Sequence, residues 1–150
     1  MSEGRSEPQE LVELFELLSI ECDPATLSGT IFPGEPVAKG RARSLRSGGT
    51  YTPKETRRAE SNVAIRLRNA RKFDSNVAVA VRFYRSTRHR VDLDNLVKLL
   101  LDGATKARVW RDDCQVTAIA ASLHLDEKNP RTVVAFGEHR STLSRAPAKK

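Results

Sequence analysis

Apolar and polar positions repeat along this chain with two periods, and each change of period marks a new element. In residues 9–21, QELVELFELLSIE, Leu11, Leu14, Phe15 and Leu18 recur at helical spacing with glutamates opposite, which predicts an amphipathic acidic helix. DPATLSG breaks it, and TIFPGEP predicts a short strand closed by a turn at Pro33-Gly34. The following VAKGRARSLRSGGTY is polar, rich in Gly and Ser, and carries Lys39, Arg41, Arg43 and Arg46, the pattern of a flexible basic loop. Thr52 as N-cap, Pro53 at the first helical position and Glu55 closing a Thr-x-x-Glu box predict a second helix, running to about Lys72. Its apolar stripe is Ala59, Val63, Leu67 and Ala70, while Arg57, Arg58, Arg66, Arg68 and Arg71 cover much of the rest. NVAVAVRFY alternates with Val77, Val79, Val81 and Phe83 on one face, as a half-buried strand does. A third helix is predicted from about Asp94 to Ala107, with Leu93, Leu96, Val97, Leu100 and Ala104 as its buried stripe. QVTAIAASLHL then predicts a strand with Thr117, Ile119, Ala121, Leu123 and Leu125 facing one way, and RTVVAF, after the EKNP turn, its hairpin partner.

These elements predict an α/β (α+β) fold: a small mixed β-sheet with two main helices on one face, plus an extra acidic N-terminal helix. The expected organisation is an acidic extension over 1–25, one folded domain over 26–138 and a basic disordered tail over 139–150.

Charge sharpens this picture. The chain carries +7, but residues 1–25 hold seven acids and one base, leaving +13 on the rest. A body that basic attracts a polyanion, of which nucleic acid is the commonest, although basic surfaces are also simply solvated. No apolar run approaches the ~20 residues of a membrane span, and the polar N-terminus lacks the features of a secretory signal. Cys22 and Cys114 stand far apart without ligand spacing, which suits free thiols in a reducing cytoplasm.

The stretch RVDLDNLVKLLLDG carries candidate chemistry. Asp92 and Asp94 put two carboxylates near a helix N-terminus, an arrangement that repulsion makes costly unless a cation joins them. Mg²⁺ does this with carboxylate oxygens, leaving positions for water and phosphate. Asp112 and Asp113 directly precede a strand, where alternation lets only one of them join that cluster. Lys98, one turn beyond Asp94, could reach a bound phosphate, with Asp102 a turn further holding it. The plainer reading makes Asp94 an N-cap and Asp94–Lys98–Asp102 a surface ladder stabilising by ~0.3–1 kcal/mol per pair. Trp110 and Tyr51 read as packing, Cys114 as a buried strand residue, and His89, His124 and His139 share no ligand spacing.

FPGEPVAKGRAR, then YTP and Glu60, then VDLDNLVKLLLDG, then VWRDDCQV resemble, in order and spacing, the RusA-type Holliday junction resolvases over residues 31 to about 125. The resemblance implies a homodimeric, Mg²⁺-dependent endonuclease that nicks four-way DNA junctions symmetrically, with Mn²⁺ able to substitute and no small-molecule cofactor or membrane involved. On its pattern the catalytic, metal-binding aspartates fall on Asp92, Asp94 and Asp113, and the essential lysine on Lys98. Asn95 shapes the turn or supports the site, and Asp112 faces away. Lys39, Arg41 and Arg43 form a phosphate-gripping loop. Val91 stands where the pattern favours proline or a base, so the arginine contact expected there is either shifted to Arg90 or absent. The acidic helix lies outside the resemblance; docking on an apolar groove, recruiting a partner and competing with DNA for the basic face are open to it, and docking is expected because its apolar stripe must be buried. A phage or prophage setting also follows from the resemblance alone. Two rivals stand beside this reading: a junction-binding module that does not cut, and a phosphodiesterase acting on a nucleotide or RNA.

Overall fold

The computed structural model describes residues 7–40, 43–44, 50–51 and 53–143, with backbone only at 43–44 and 50–51. In chain order it contains α1 (Gln9–Ser19), β1 (Ser28–Pro33), β2 (Arg43–Ser44), β3 (Thr50–Tyr51), α2 (Lys54–Leu67), β4 (Val77–Arg85), α3 (Leu93–Lys106), β5 (Val116–Leu125) and β6 (Arg131–Glu138). β1, β6, β4 and β5 lie side by side in one mixed sheet, while β2 and β3 pair as a small ribbon inside the expected loop.

Pairing corrects one expectation. β6 is not the hairpin partner of β5; it lies antiparallel between β1 and β4, and β5 runs parallel to β4 on the outer edge. Strand β4, helix α3 and strand β5 thus make a βαβ unit, in which the helix spans the return needed by parallel strands. The edge position leaves Ile119, Leu123 and Leu125 exposed at 48, 39 and 38%, although they alternate as foreseen.

Alternation along β4 builds two cores. Val77, Val79, Val81 and Phe83 pack with Ala59, Val63 and Leu67 of α2 and with Leu96, Leu99 and Leu100 of α3. Ala78 and Ala80, on the other face, pack with Val133 and Ala135 of β6 beneath Leu11, Leu14 and Leu18 of α1. β4 is therefore buried on both faces rather than half-buried. Small alanines admit α1 closely, and its acids meet bases there: Glu13 pairs with Arg82, and Glu10 with Arg131. Arg131 also lies 3.8 Å over the Tyr84 ring, a cation–π contact that orients the guanidinium.

Helix starts shift by a residue. α2 begins at Lys54 with Pro53 as N-cap, its carbonyl accepting from Arg57 N–H, and Thr52 lies outside the described residues. α3 begins at Leu93, which moves the cap from Asp94 to Asp92. Gly34 turns the chain after β1 with φ +110°, a conformation that side chains resist. Residues 139–143 follow β6 directly, with His139 N–H donating to Asn76 O.

Candidate active site

The loop after β4 delivers the chain to α3 through exposed Arg88, His89 and Arg90. Asp92 then occupies the N-cap with extended backbone, φ −84° and ψ 124°, and its carbonyl accepts the first helical bonds from Asn95 and Leu96. Its carboxylate, however, caps no helix N–H; among the described residues it accepts only from Asn95 Nδ2, at 3.4 Å. Asp94 accepts from Asn95 N–H at 3.0 Å. Both carboxylates are exposed beside the positive end of the helix dipole, which favours negative charge there. Lys98 is exposed one turn on.

Asp102 does not hold Lys98. It accepts from Lys39 Nζ at 2.5 Å. That hydrogen bond holds Lys39 above the ordinary lysine range despite burial, with the charges of Asp102, Glu60 and Asp113 adding to it. Lys39 N–H also donates to Asn95 O, and Gly40 N–H to Thr56 Oγ1, so two consecutive residues tie the start of α3 to the start of α2. Lys39 therefore roots the basic loop, with its part-exposed ammonium paired to Asp102. Arg41 lies outside the described residues, as does the side chain of Arg43.

A 3-10 turn at Asp113–Gln115 precedes β5, so strand alternation does not separate Asp112 from Asp113. Asp112 caps this turn by accepting from Cys114 N–H at 2.9 Å, a bond that holds its carboxyl below the usual range. Asp113 is pushed up, first by its hydrogen bond with Asp112, then by burial and the charges of Asp112 and Asp102. The same turn carries Cys114 out to solvent, against its expected burial. Trp110 is buried as foreseen, donating from Nε1 to Thr105 Oγ1 at 2.7 Å.

Gln115 is the positioning residue that the sequence reading passed over. Fully buried, it accepts from the N–H groups of Arg111 and Asp112 and donates to Phe73 O and Ser75 O. It thereby fixes the backbone that presents both aspartates. A large amide at the mouth of an apolar strand was the available signal.

Asp113 stands near Asp102, which is ten residues and so about 15 Å along α3 from Asp92. Among the described residues no three acidic, His or Cys side chains gather closely enough to hold a metal ion. Asp92 and Asp94 stand at the start of α3, and Asp112 and Asp113 on the turn before β5. A groove of about 660 Å³ between β1, α2 and α3 holds none of these four aspartates. No described helix is long and apolar enough to cross a membrane.

No curated protein matches the chain significantly. The family model of endodeoxyribonuclease RusA matches residues 33–136, which spans both aspartate pairs, Lys98 and the root of the basic loop. Outside it lie α1 and nearly all of β1. RusA enzymes act on Holliday junctions and are generally dependent on a divalent metal. This chain belongs to the RusA endodeoxyribonuclease family and is a nuclease of the Holliday junction resolvase type.

Proposed function

We propose that the chain is a Mg²⁺-dependent resolvase which, as a homodimer, cuts four-way junctions by paired symmetric nicks in DNA recombination and repair, in the cytoplasm of a bacterial or phage-infected cell. The observation that carries this reading is Asp92. It holds the N-cap of α3, yet its carboxylate takes no helix N–H and is left with that of Asp94 as an exposed oxygen pair. Plain capping gives no account of that. Magnesium is commonly held by one or two carboxylates together with substrate phosphate, and this donor set fits it.

Asp92 and Asp94 would hold the cation, and Asn95 steadies Asp92 through its amide. When bound, Mg²⁺ or Mn²⁺ would supply an activated water and neutralise charge developing on the phosphate. Lys98 brings a further positive charge for the transition state. Asp113 is the third carboxylate of the reading, presented by the turn before β5 that Gln115 braces. The two-fold axis of a homodimer would match that of the junction and direct one cut to each of two strands. Arg41 and Arg43, whose loop Lys39 anchors through Asp102, would grip phosphate, and so would Arg90 in the loop before α3.

The test is a nicking assay on a synthetic mobile four-way junction and a matched linear duplex, with Mg²⁺ or with EDTA. Paired, metal-dependent cuts in the junction, lost in Asp94→Asn while binding survives, are expected. Junction binding without cutting under either Mg²⁺ or Mn²⁺ would favour the non-cleaving module.

A further inference from the structure

The acidic cover on one face of the sheet makes the charge of the other face legible. On the α1 side two bases are taken: Arg82 by Glu13, and Arg131 by Glu10 and Asp126. Elsewhere Arg85 pairs with Glu35, Lys39 with Asp102 and Arg111 with Asp74. Residues 54–72, by contrast, hold seven bases against two acids. Lys54, Arg57, Arg58, Arg66 and Arg68 are all exposed, and none forms an ion pair with a described acid. Residues 54–72 thus carry +5 of the body's +13, a row of bases without acid partners among the described residues.

This helix is also well placed. α2 and α3 share one layer on the same sheet face. Lys39 bonds Asn95 in the first turn of α3, and its neighbour Gly40 bonds Thr56 in the first turn of α2. Lys39 and Gly40, adjacent in the chain, thus tie the first turn of α2 to the first turn of α3.

We propose that the solvent face of α2 is a track for the DNA backbone, its bases seating successive phosphates of the junction arm that leads to Asp92 and Asp94. Its fourteen residues span about 21 Å, or roughly six base-pair steps of duplex. Ile65, 58% exposed, is the one large apolar side chain on that face, far too little for the apolar centre of a protein interface. The acidic outer side of α1 on a second copy could meet α2, but such a head-to-tail contact builds rings or open chains rather than a two-fold pair. The inference rests on the junction-cutting reading and adds where the arm lies.

Two full-length double variants test it, Arg57→Ala/Arg58→Ala and Arg66→Ala/Arg68→Ala, with binding to junction and to linear duplex measured in EDTA across salt concentrations. Each lost phosphate contact lowers the slope of log affinity against log salt by about 0.9, so each pair lowers it by about 1.8. Both DNAs should weaken alike, since backbone contacts carry no base or branch information. The Arg→Lys counterparts keep the charge and should keep the slope. Wild-type slopes in folded alanine variants overturn the track, as does an equal fall in the lysine variants. Salt-sensitive self-association that the alanine variants abolish, with DNA binding untouched, also overturns it. Absence of DNA binding by the unaltered protein would instead bring down the resolvase reading, and the track with it.

Discussion

Asp112 and Asp113 are neighbours in sequence, but the fold moves their titrations in opposite directions. Asp112 is held low by the Cys114 amide, so it stabilises the fold above its unfolded pKa, and that contribution is lost as pH falls through the folded value. Asp113 is raised above the ordinary 3.8, chiefly by its hydrogen bond with Asp112. A raised acid has the opposite sign: its stabilisation is fully present below 3.8 and disappears as pH rises through the folded pKa. At neutral pH without metal the ionised Asp113 is thus a net cost, of the kind that functional sites retain. Asparagine copies the protonated form. Asp113→Asn should melt with the wild type near pH 3 and above it at pH 7, by about 1–2 °C once solvent screening of an exposed pair is allowed for. Thermal unfolding in EDTA across that range is the check, and a variant less stable at pH 7 would contradict the sign. Junction cutting should be lost in the same variant, which separates the carboxylate's use from its effect on stability.

α2 and α3 cross where Gly103 faces Val63, and the fit there is close enough to predict from one atom. A Cβ on Gly103 would stand 2.5 Å from Val63 Cγ1 and 2.6 Å from Val63 Cβ, distances that force the helices apart. Gly103→Ala should therefore cost about 2–3 kcal/mol by overpacking, despite the better helix propensity of alanine. Adding Val63→Ala should return at least about 1 kcal/mol of coupling, and a urea double-mutant cycle reads it; strict additivity would mean that the crossing relaxes freely. The crossing partners were legible as stripes, because a 3.6-residue period reports which side of a helix is buried. The acid-rich start of α3 was legible too, since two carboxylates and a lysine stand in one short motif. Partner choice was not. Nothing local to RTVVAF says that it slots between β1 and β4, a pairing decided by the crossover through α3 and by α1 covering the alanines of β4. Likewise, alternation misplaced Asp112 and Cys114 because a 3-10 turn, capped by Asp112 itself, replaces the expected start of the strand.

At the scale of the whole molecule, charge and packing divide the sheet between two uses. α1 brings acids to one face, where Glu10 and Glu13 neutralise Arg131 and Arg82 while Leu11, Leu14 and Leu18 close the second core. The opposite face keeps its bases for DNA in the proposal above. Removing residues 1–25 would therefore act on stability first. Three buried leucines contribute on the order of 6 kcal/mol as an upper bound, and Ala78, Ala80, Val133 and Ala135 would meet water. Against a typical total of about 5–15 kcal/mol, that loss should lower Tm by more than about 10 °C or leave an aggregating chain. The deletion also removes −6 of charge, which would tighten DNA binding if the acids faced the DNA. They lie across the sheet from α2, and at 0.1 M salt fields fade over about 10 Å. Glu10→Gln/Glu13→Gln isolates the charge from the packing: its junction affinity should stay within about threefold of wild type, with a small loss of Tm. A truncated chain of undiminished stability that binds junctions far more tightly would show that α1 competes with DNA for the basic face.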